Sequence, residues 1–194
     1  MPKLGMEPIR RDALIKAAIV EIGAQGSLDV SVSRIAKRAG MSAALAHHYF
    51  GSKDAMFLAT MRHLLAVYGA EIRGALLACD TAQARLRAIV RVSFSGSNFR
   101  REVVASWLNF YVMAQRNGEA ARLLRVYQER LRSNLRHALR PLMGGRAPEM
   151  AEAMAAMIDG LYLREALGTG QPDGARAVAQ VQVWVDAAMT GVEQ

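Results

Sequence analysis

Apolar residues recur along most of this chain at intervals of three and four, the spacing that lines one face of an α-helix. Ile9, Ala13, Ile15, Ala17, Ile19, Val20 and Ile22 form the first series, which opens near Pro8 and stops around Gly23 and Gly26. A short second helix follows Ser31, a good N-cap, and runs from Val32 to Ala39. Gly40, free to take φ > 0, ends it. Ser42 caps a third helix from Ala43 to about Tyr49, and Gly51-Ser52 breaks it. A long fourth helix starts at about Lys53 and continues into the 70s. Beyond it the pattern predicts helices over 81–95, 100–116, 119–142, 149–167 and 173–190. The breaks are Gly96-Ser97, Asn117-Gly118, Gly144-Gly145 with Pro148, and the stretch 168–174. No segment sustains the period-two alternation of a half-buried strand, so the fold class is all-α, with about nine helices.

Residues 31–50, SVSRIAKRAGMSAALAHHYF, form the most specific pattern. Two short helices joined at Gly40-Met41 make a helix-turn-helix, whose second helix enters a DNA major groove. Ile35, Ala36 and Ala39 give the first helix a small apolar face, so the two can cross closely. Ser42 caps the reading helix and has a hydroxyl to offer a phosphate. Ala43 and Ala44 are small enough to let that helix sit deep, and their methyls can meet a thymine methyl. His47, His48 and Tyr49 add donors near the groove, and Lys53 opens the next helix, where an ammonium and backbone N–H groups suit a phosphate. The candidate DNA contacts are these residues together with Ser31, Ser33 and Arg34.

Charge agrees with that reading. The 194 residues carry a net +8, and residues 1–62 hold nine Lys/Arg against five Asp/Glu, which is half of that excess. All four lysines lie there (Lys3, Lys16, Lys37, Lys53). A basic surface implies a polyanion without naming it. The 52% hydrophobic content supports a buried core, and no apolar run reaches the ~18 residues of a membrane span. No secretory signal is expected, because the opening residues lack an apolar core, and a cytoplasmic location follows as an expectation. Cys79 is the only cysteine, which excludes an intrachain disulfide and a multi-cysteine zinc site. The four histidines show no metal-ligand spacing. There is no phosphate-binding glycine loop, Glu-x-x-His pair or nucleophile motif, so neither an enzyme nor a bound cofactor is expected. A non-specific nucleoid or membrane-binding protein is the remaining rival class.

The combination of Ile15, Ala17-Ala18, Gly26, Ile35-Ala36, Ala39-Gly40, Ser42, Tyr49-Phe50 and Lys53 resembles the TetR family of bacterial repressors over about the first 60 residues. The resemblance implies a helix-turn-helix DNA-binding domain over 1–52 and a ligand-binding and dimerisation bundle over 53–194. It also implies a homodimer that binds double-stranded operator DNA and releases it on meeting a small inducer. Further segments resemble the choline-responsive branch of that family, which represses choline uptake and glycine betaine synthesis. They are the opening MPKLGM with Pro8-Ile9-Arg10-Arg11, His48-Tyr49-Phe50, 59–62 (ATMR), 105–108 (ASWL), 133–135 (SNL) and 158–164 (IDGLYLR). The departures are Tyr111 and Tyr162, where relatives are expected to carry tryptophan, and the unfamiliar segment 95–104; they bear on ligand preference.

The residues give that ligand a physical basis. A quaternary ammonium has no N–H to donate, so proteins hold it with aromatic faces and a carboxylate. Phe94, Phe99, Trp107, Phe110 and Tyr111 cluster in a chain with only 6% aromatics, and Trp107 and Tyr111 share a helix face. Asp159 lies in an apolar stretch three residues before Tyr162 and needs a partner or a cationic ligand. The candidate ligand residues are therefore Phe94, Trp107, Phe110, Tyr111, Asp159 and Tyr162. Two alternatives stand: the aromatics are core, and Asp159 pairs with Arg164 or with a partner subunit. A different cationic or lipophilic inducer is the rival ligand. Two apolar series, Met150, Met154, Met157, Ile158, Leu161 and Val178, Val181, Trp184, Val185, Ala188, offer either a four-helix dimer interface or a cover for the monomer core.

Overall fold

A computed structural model of the chain describes residues 5–190, so Met1–Leu4 of the opening motif, with Lys3, lie outside the described residues. Regular structure among them consists of nine α-helices and one 3-10 turn. The helices are α1 (Met6–Gln25), α2 (Val32–Arg38), α3 (Ala43–Phe50), α4 (Lys53–Leu77), α5 (Ala82–Ser93), α6 (Arg101–Ala114), α7 (Gly118–Met143), α8 (Ala147–Leu167) and α9 (Gly174–Thr190). The turn, Gly144–Arg146, links α7 to α8.

Polar side chains start these helices where the sequence offers them. Ser31, Ser42, Ser52 and Thr81 each accept a backbone N–H three residues on, at 3.1–3.2 Å. Asn117 accepts two such bonds, both at 3.0 Å, at the head of α7. Each cap satisfies a donor the helix cannot, an effect of about 1 kcal/mol. Helix α2 closes as a Schellman turn: Gly40 takes φ +69°, its N–H reaches Lys37 O at 3.1 Å, and Met41 N–H reaches Ala36 O at 2.8 Å.

Several boundaries differ from the sequence expectation; α5 ends at Ser93 rather than 95 and α6 at Ala114 rather than 116, and three others have a physical reason. Helix α1 begins at Met6, two residues before Pro8, and runs through Gly23 to a left-handed cap at Gly26. Gly23 is a contact rather than a stop: a Cβ there would lie 2.6 Å from the Cα of Glu102, so α1 and α6 touch backbone to side chain. Helix α8 begins at Ala147 because Pro148 fits the first turn, where a missing N–H costs nothing.

Apolar burial falls into two clusters. One gathers Leu14, Ala18 and Ile22 of α1 with Val32, Ile35, Ala46 and Phe50 of the helix-turn-helix. The other fills the bundle α4–α9. Helix α4 serves both, giving Met56 and Phe57 to the first and Leu58, Met61, Leu64 and Ile72 to the second. At 25 residues it spans roughly 37 Å. The buried hydroxyls of Thr60, Ser93 and Ser106 bond the carbonyl four residues back, so none of these three donors is left open.

Six of the ten residues in the two apolar series of α8 and α9 go into the monomer's own core, while Met157, Val178, Trp184 and Ala188 pack against it half-buried. Met150, Met154, Ile158, Leu161, Val181 and Val185 are all buried within it. The exposed apolar residues on these helices are instead Leu163, Leu167 and Val183, at 45%, 71% and 72%. No helix among the described residues is long and apolar enough to cross a membrane.

Candidate DNA-binding surface and ligand site

Helix α3 buries Ala46 and Phe50 and turns Ala44, His47 and His48 to solvent. Those three, at i, i+3 and i+4, form one outward ridge, with Ser42 exposed at its N-terminus. Ala43 and Tyr49 flank it, half-buried. The Ser42 hydroxyl accepts from Leu45 N–H, so its own proton is still available to an external acceptor. Lys53 opens α4 with its Nζ 5.7 Å from the Phe57 ring centroid. Ser31, the cap of α2, and Ser33 within it are exposed.

Arg34 has partners inside the protein. Buried Glu21 of α1, 3% exposed, takes Arg34 on Oε2 and Arg38 on Oε1, and Arg34 also bonds Gln25 at 3.1 Å. The Arg38 hydrogen bond, opposed by burial and aided by both positive charges, holds the Glu21 carboxyl below its ordinary value. This pair fixes α2 against α1, and with it the angle of α3. Arg10 and Arg11, absent from the sequence-based contacts, perform a similar service. Arg11 donates to the Tyr49 carbonyl and stacks 4.6 Å over the Phe50 ring, and Arg10 reaches the Tyr49 hydroxyl at 3.5 Å.

In the bundle, an aromatic chain crosses from α4 to α8. Tyr68 meets Tyr127 (ring centroids 6.0 Å), Tyr127 meets Trp107 (4.5 Å), and Trp107 meets Tyr111 (5.8 Å) and Tyr162 (6.3 Å). Tyr162 continues to Phe99 (4.8 Å) and Phe94 (5.9 Å). Asp159 joins this cluster, and its Oδ1 accepts from Tyr111 (3.1 Å) and Tyr127 (3.4 Å). Both donors are neutral hydroxyls, not arginines. Arg132, which contributes an attraction, is tied to Glu129 and Glu152. Burial therefore raises the Asp159 carboxyl above its ordinary value, against those two hydrogen bonds. Burial also pushes Tyr111, Tyr127 and Tyr162 upward, and Tyr68 to about 12, so all four stay protonated donors.

Trp107, Tyr111, Asp159 and Tyr162 are thus brought together. Phe94 is at the rim, where its carbonyl would meet a Cβ on Gly174 at 2.2 Å. Phe110 faces the other way, lining a small gap with Ile22, Phe57 and Met61, while its ring edge still meets Trp107 at 6.0 Å. Tyr127 and Tyr68 are the members that the sequence reading omits. A cleft of about 600 Å³ between α4 and α7 opens onto both, with Leu65, Ile72, Arg73 and Arg130 on its walls. Trp107 and Asp159 lie behind these two tyrosines, not on the cleft wall.

Comparison with known proteins fits this geometry. Residues 14–60 match the model of bacterial regulatory proteins of the tetR family, and residues 82–190 match that of the BetI-type transcriptional repressor C-terminal domain. The HTH-type transcriptional regulator BetI of Brucella melitensis is 52% identical over 192 residues, covering 98% of this chain and 97% of that protein. The regulator of the same name from Rhizobium meliloti is 48% identical over 188 residues, covering 96% and 93%. Among solved structures, a putative transcriptional regulator from Saccharomonospora viridis in complex with choline superposes with a TM-score of 0.77. It is 19% identical, covering 91% of this chain and 95% of its own, a likeness of fold. A two-core helical fold with an outward-facing α3 ridge, together with near-full-length identity to BetI regulators, places this chain in the TetR family as a BetI-type transcriptional repressor.

Proposed function

We propose that this repressor binds its operator as a cytoplasmic homodimer through Ser31, Ser33, Arg34, Ser42, Ala43, Ala44, His47, His48, Tyr49 and Lys53. Choline would release it, switching on genes for choline uptake and oxidation to glycine betaine. We take the domain boundary between Ser52 and Lys53, with α4 shared between the two cores.

One observation carries the ligand assignment: a half-buried carboxylate, Asp159, is hydrogen-bonded by neutral tyrosines and flanked by the Trp107 ring system. Among the described residues Arg132 is the cation that attracts this group, and it is paired with Glu129 and Glu152; a trimethylammonium would supply a dedicated counter-cation while meeting π-faces worth about 0.5–2 kcal/mol each. That the Saccharomonospora protein, which shares this fold, is in complex with choline supports choline as the ligand class. Trp107 and Tyr127 lie 4.5 Å apart, too close to sandwich a trimethylammonium, so a cation between them must part α6 from α7. The ligand then favours a form with those helices separated, and that preference is what can shift the operator-binding equilibrium. Exposed Leu163, Leu167 and Val183 support α8 and α9 as the dimer face.

The test is fluorescence anisotropy on an operator duplex selected from a random library, with and without choline, for the wild type and Trp107→Phe. Choline-weakened binding that Trp107→Phe blunts, at unchanged operator affinity, supports the reading. Tight binding indifferent to choline, but weakened by another cation or a lipophile, assigns a different inducer.

A further inference from the structure

We infer that Glu71 and the 93–98 segment form the latch through which the ligand site acts on α4; this rests on the inducer reading above. Glu71 lies on α4, three residues after Tyr68 and on the same helix face. Its Oε2 accepts from Asn98 Nδ2 at 2.6 Å, Ser97 Oγ at 3.0 Å and Ser95 Oγ at 3.4 Å. Asn98 is buried at 5% exposure, and its amide also donates to Val92 O at 3.1 Å. On the other side of the same segment, Tyr162 donates from its hydroxyl to the carbonyls of Ser93 (2.6 Å) and Asn98 (3.1 Å). The Tyr68 hydroxyl meets Ser93 Oγ at 3.0 Å.

The segment is therefore held by α4 on one side and by an aromatic residue of the candidate ligand site on the other. Asn98 is the shared member: its side chain binds Glu71 and its carbonyl binds Tyr162. Any shift of Tyr162 on ligand binding pulls on a loop that grips α4 by hydrogen bonds, three of them to the Glu71 carboxylate and the Asn98 one short. Helix α4 gives Met56 and Phe57 to the DNA-binding core, so its displacement changes the position of α3.

The experiment measures the ratio of operator affinities without and with saturating choline, together with the choline affinity of the free protein. It compares wild type, Glu71→Ala, Glu71→Gln and Asn98→Asp. Glu71→Ala should keep wild-type operator affinity without ligand and wild-type choline affinity, but lower the ratio by about fivefold or more. Glu71→Gln, which keeps an acceptor oxygen, should restore most of it, and Asn98→Asp, which sets two carboxylates together, should not. A ratio unchanged in Glu71→Ala overturns the latch while leaving the inducer reading intact. A wild-type protein whose operator affinity ignores choline overturns both. Loss of ligand-free operator affinity in Glu71→Ala, not recovered by Glu71→Gln, also overturns the latch, since it assigns Glu71 a purely structural role.

Discussion

Replacing Asp159 by Asn isolates the charge at the candidate ligand site, because the amide oxygen can still accept from Tyr111 and Tyr127. With a trimethylammonium nitrogen about 4–5 Å from the carboxylate and an effective dielectric constant near 20, the attraction is about 3–4 kcal/mol. The two tyrosine hydrogen bonds draw some negative charge off the carboxylate, so a net loss of about 2–3 kcal/mol is expected. That corresponds to a roughly 30- to 150-fold weaker choline affinity in Asp159→Asn. Calorimetric titration at neutral pH reads this directly. The control ligand is the neutral isostere of choline in which carbon replaces the quaternary nitrogen. It should bind wild type and Asp159→Asn with similar affinity, since it retains shape and loses charge. The pH dependence has a definite sign. Burial raises the folded-state pKa of Asp159, so in the free protein this group's stability contribution is fully present below its ordinary value of 3.8 and is lost as pH rises through the raised value. A bound cation favours the ionised form, so choline affinity should fall as pH is lowered through that raised value, with proton release on binding in the same window. Asp159→Asn should abolish both effects. If Asp159→Asn binds choline within twofold of wild type, the carboxylate does not face the cation and the ligand assignment fails.

Three further outcomes check other parts of the argument. Lys53→Ala should weaken operator binding evenly across sequences and lower the salt slope by about 1, measured by anisotropy over a salt series; an unchanged slope removes Lys53 from the phosphate contacts. Gly23→Ala places a Cβ against Glu102 and should cost about 1–3 kcal/mol, seen as a lowered Tm at about 2–4 °C per kcal/mol; a Tm within 1 °C of wild type, about a quarter to half of a kcal/mol by that scale, would mean α1 and α6 are less closely apposed. Glu21 has a lowered folded-state pKa, so its stabilising contribution is present above its ordinary 4.5 and is lost as pH falls through the lower folded value. Glu21→Gln should flatten the acid side of the stability–pH profile in that window, and an unchanged acid limb in denaturant titrations would show that the Arg34 and Arg38 pairs contribute little.

The fold was legible because helix punctuation is local. Ser31, Gly40, Ser42 and Asn117 act within a few residues of themselves, through caps and turns whose chemistry needs no distant partner. Gly23 shows where that logic stops. A glycine near a helix end reads as a terminator, but this one is needed for contact with Glu102, a residue on another helix that no local pattern reveals. The apolar series of α8 and α9 were ambiguous for the same reason. Periodicity identifies a buried face but not what buries it, and here the monomer's own bundle covers the six fully buried positions.

The ligand site divides along the same line. Trp107 and Tyr111 share one face of α6, and Asp159 and Tyr162 share one face of α8, so each pair could be read from spacing. Tyr127 could not. It occupies an ordinary core position in α7, four residues before Leu131 and eight before Leu135, on a helix otherwise dominated by exposed arginines. At such a position a tyrosine and a leucine give the same hydrophobic period, and only the hydroxyl differs. That hydroxyl ends on Asp159, and the ring lies 4.5 Å from Trp107, so the residue that joins the two legible pairs is the one whose role depends wholly on tertiary contacts. Tyr127→Phe separates the two properties. It keeps the ring and removes one of the two hydrogen bonds that lower the Asp159 pKa. The carboxyl should then titrate still higher, and the loss of choline affinity on acidification should begin at higher pH than in the wild type. Calorimetric titrations over a pH series would show it, and an unshifted profile would mean that the Tyr127 hydroxyl does not hold Asp159 in solution.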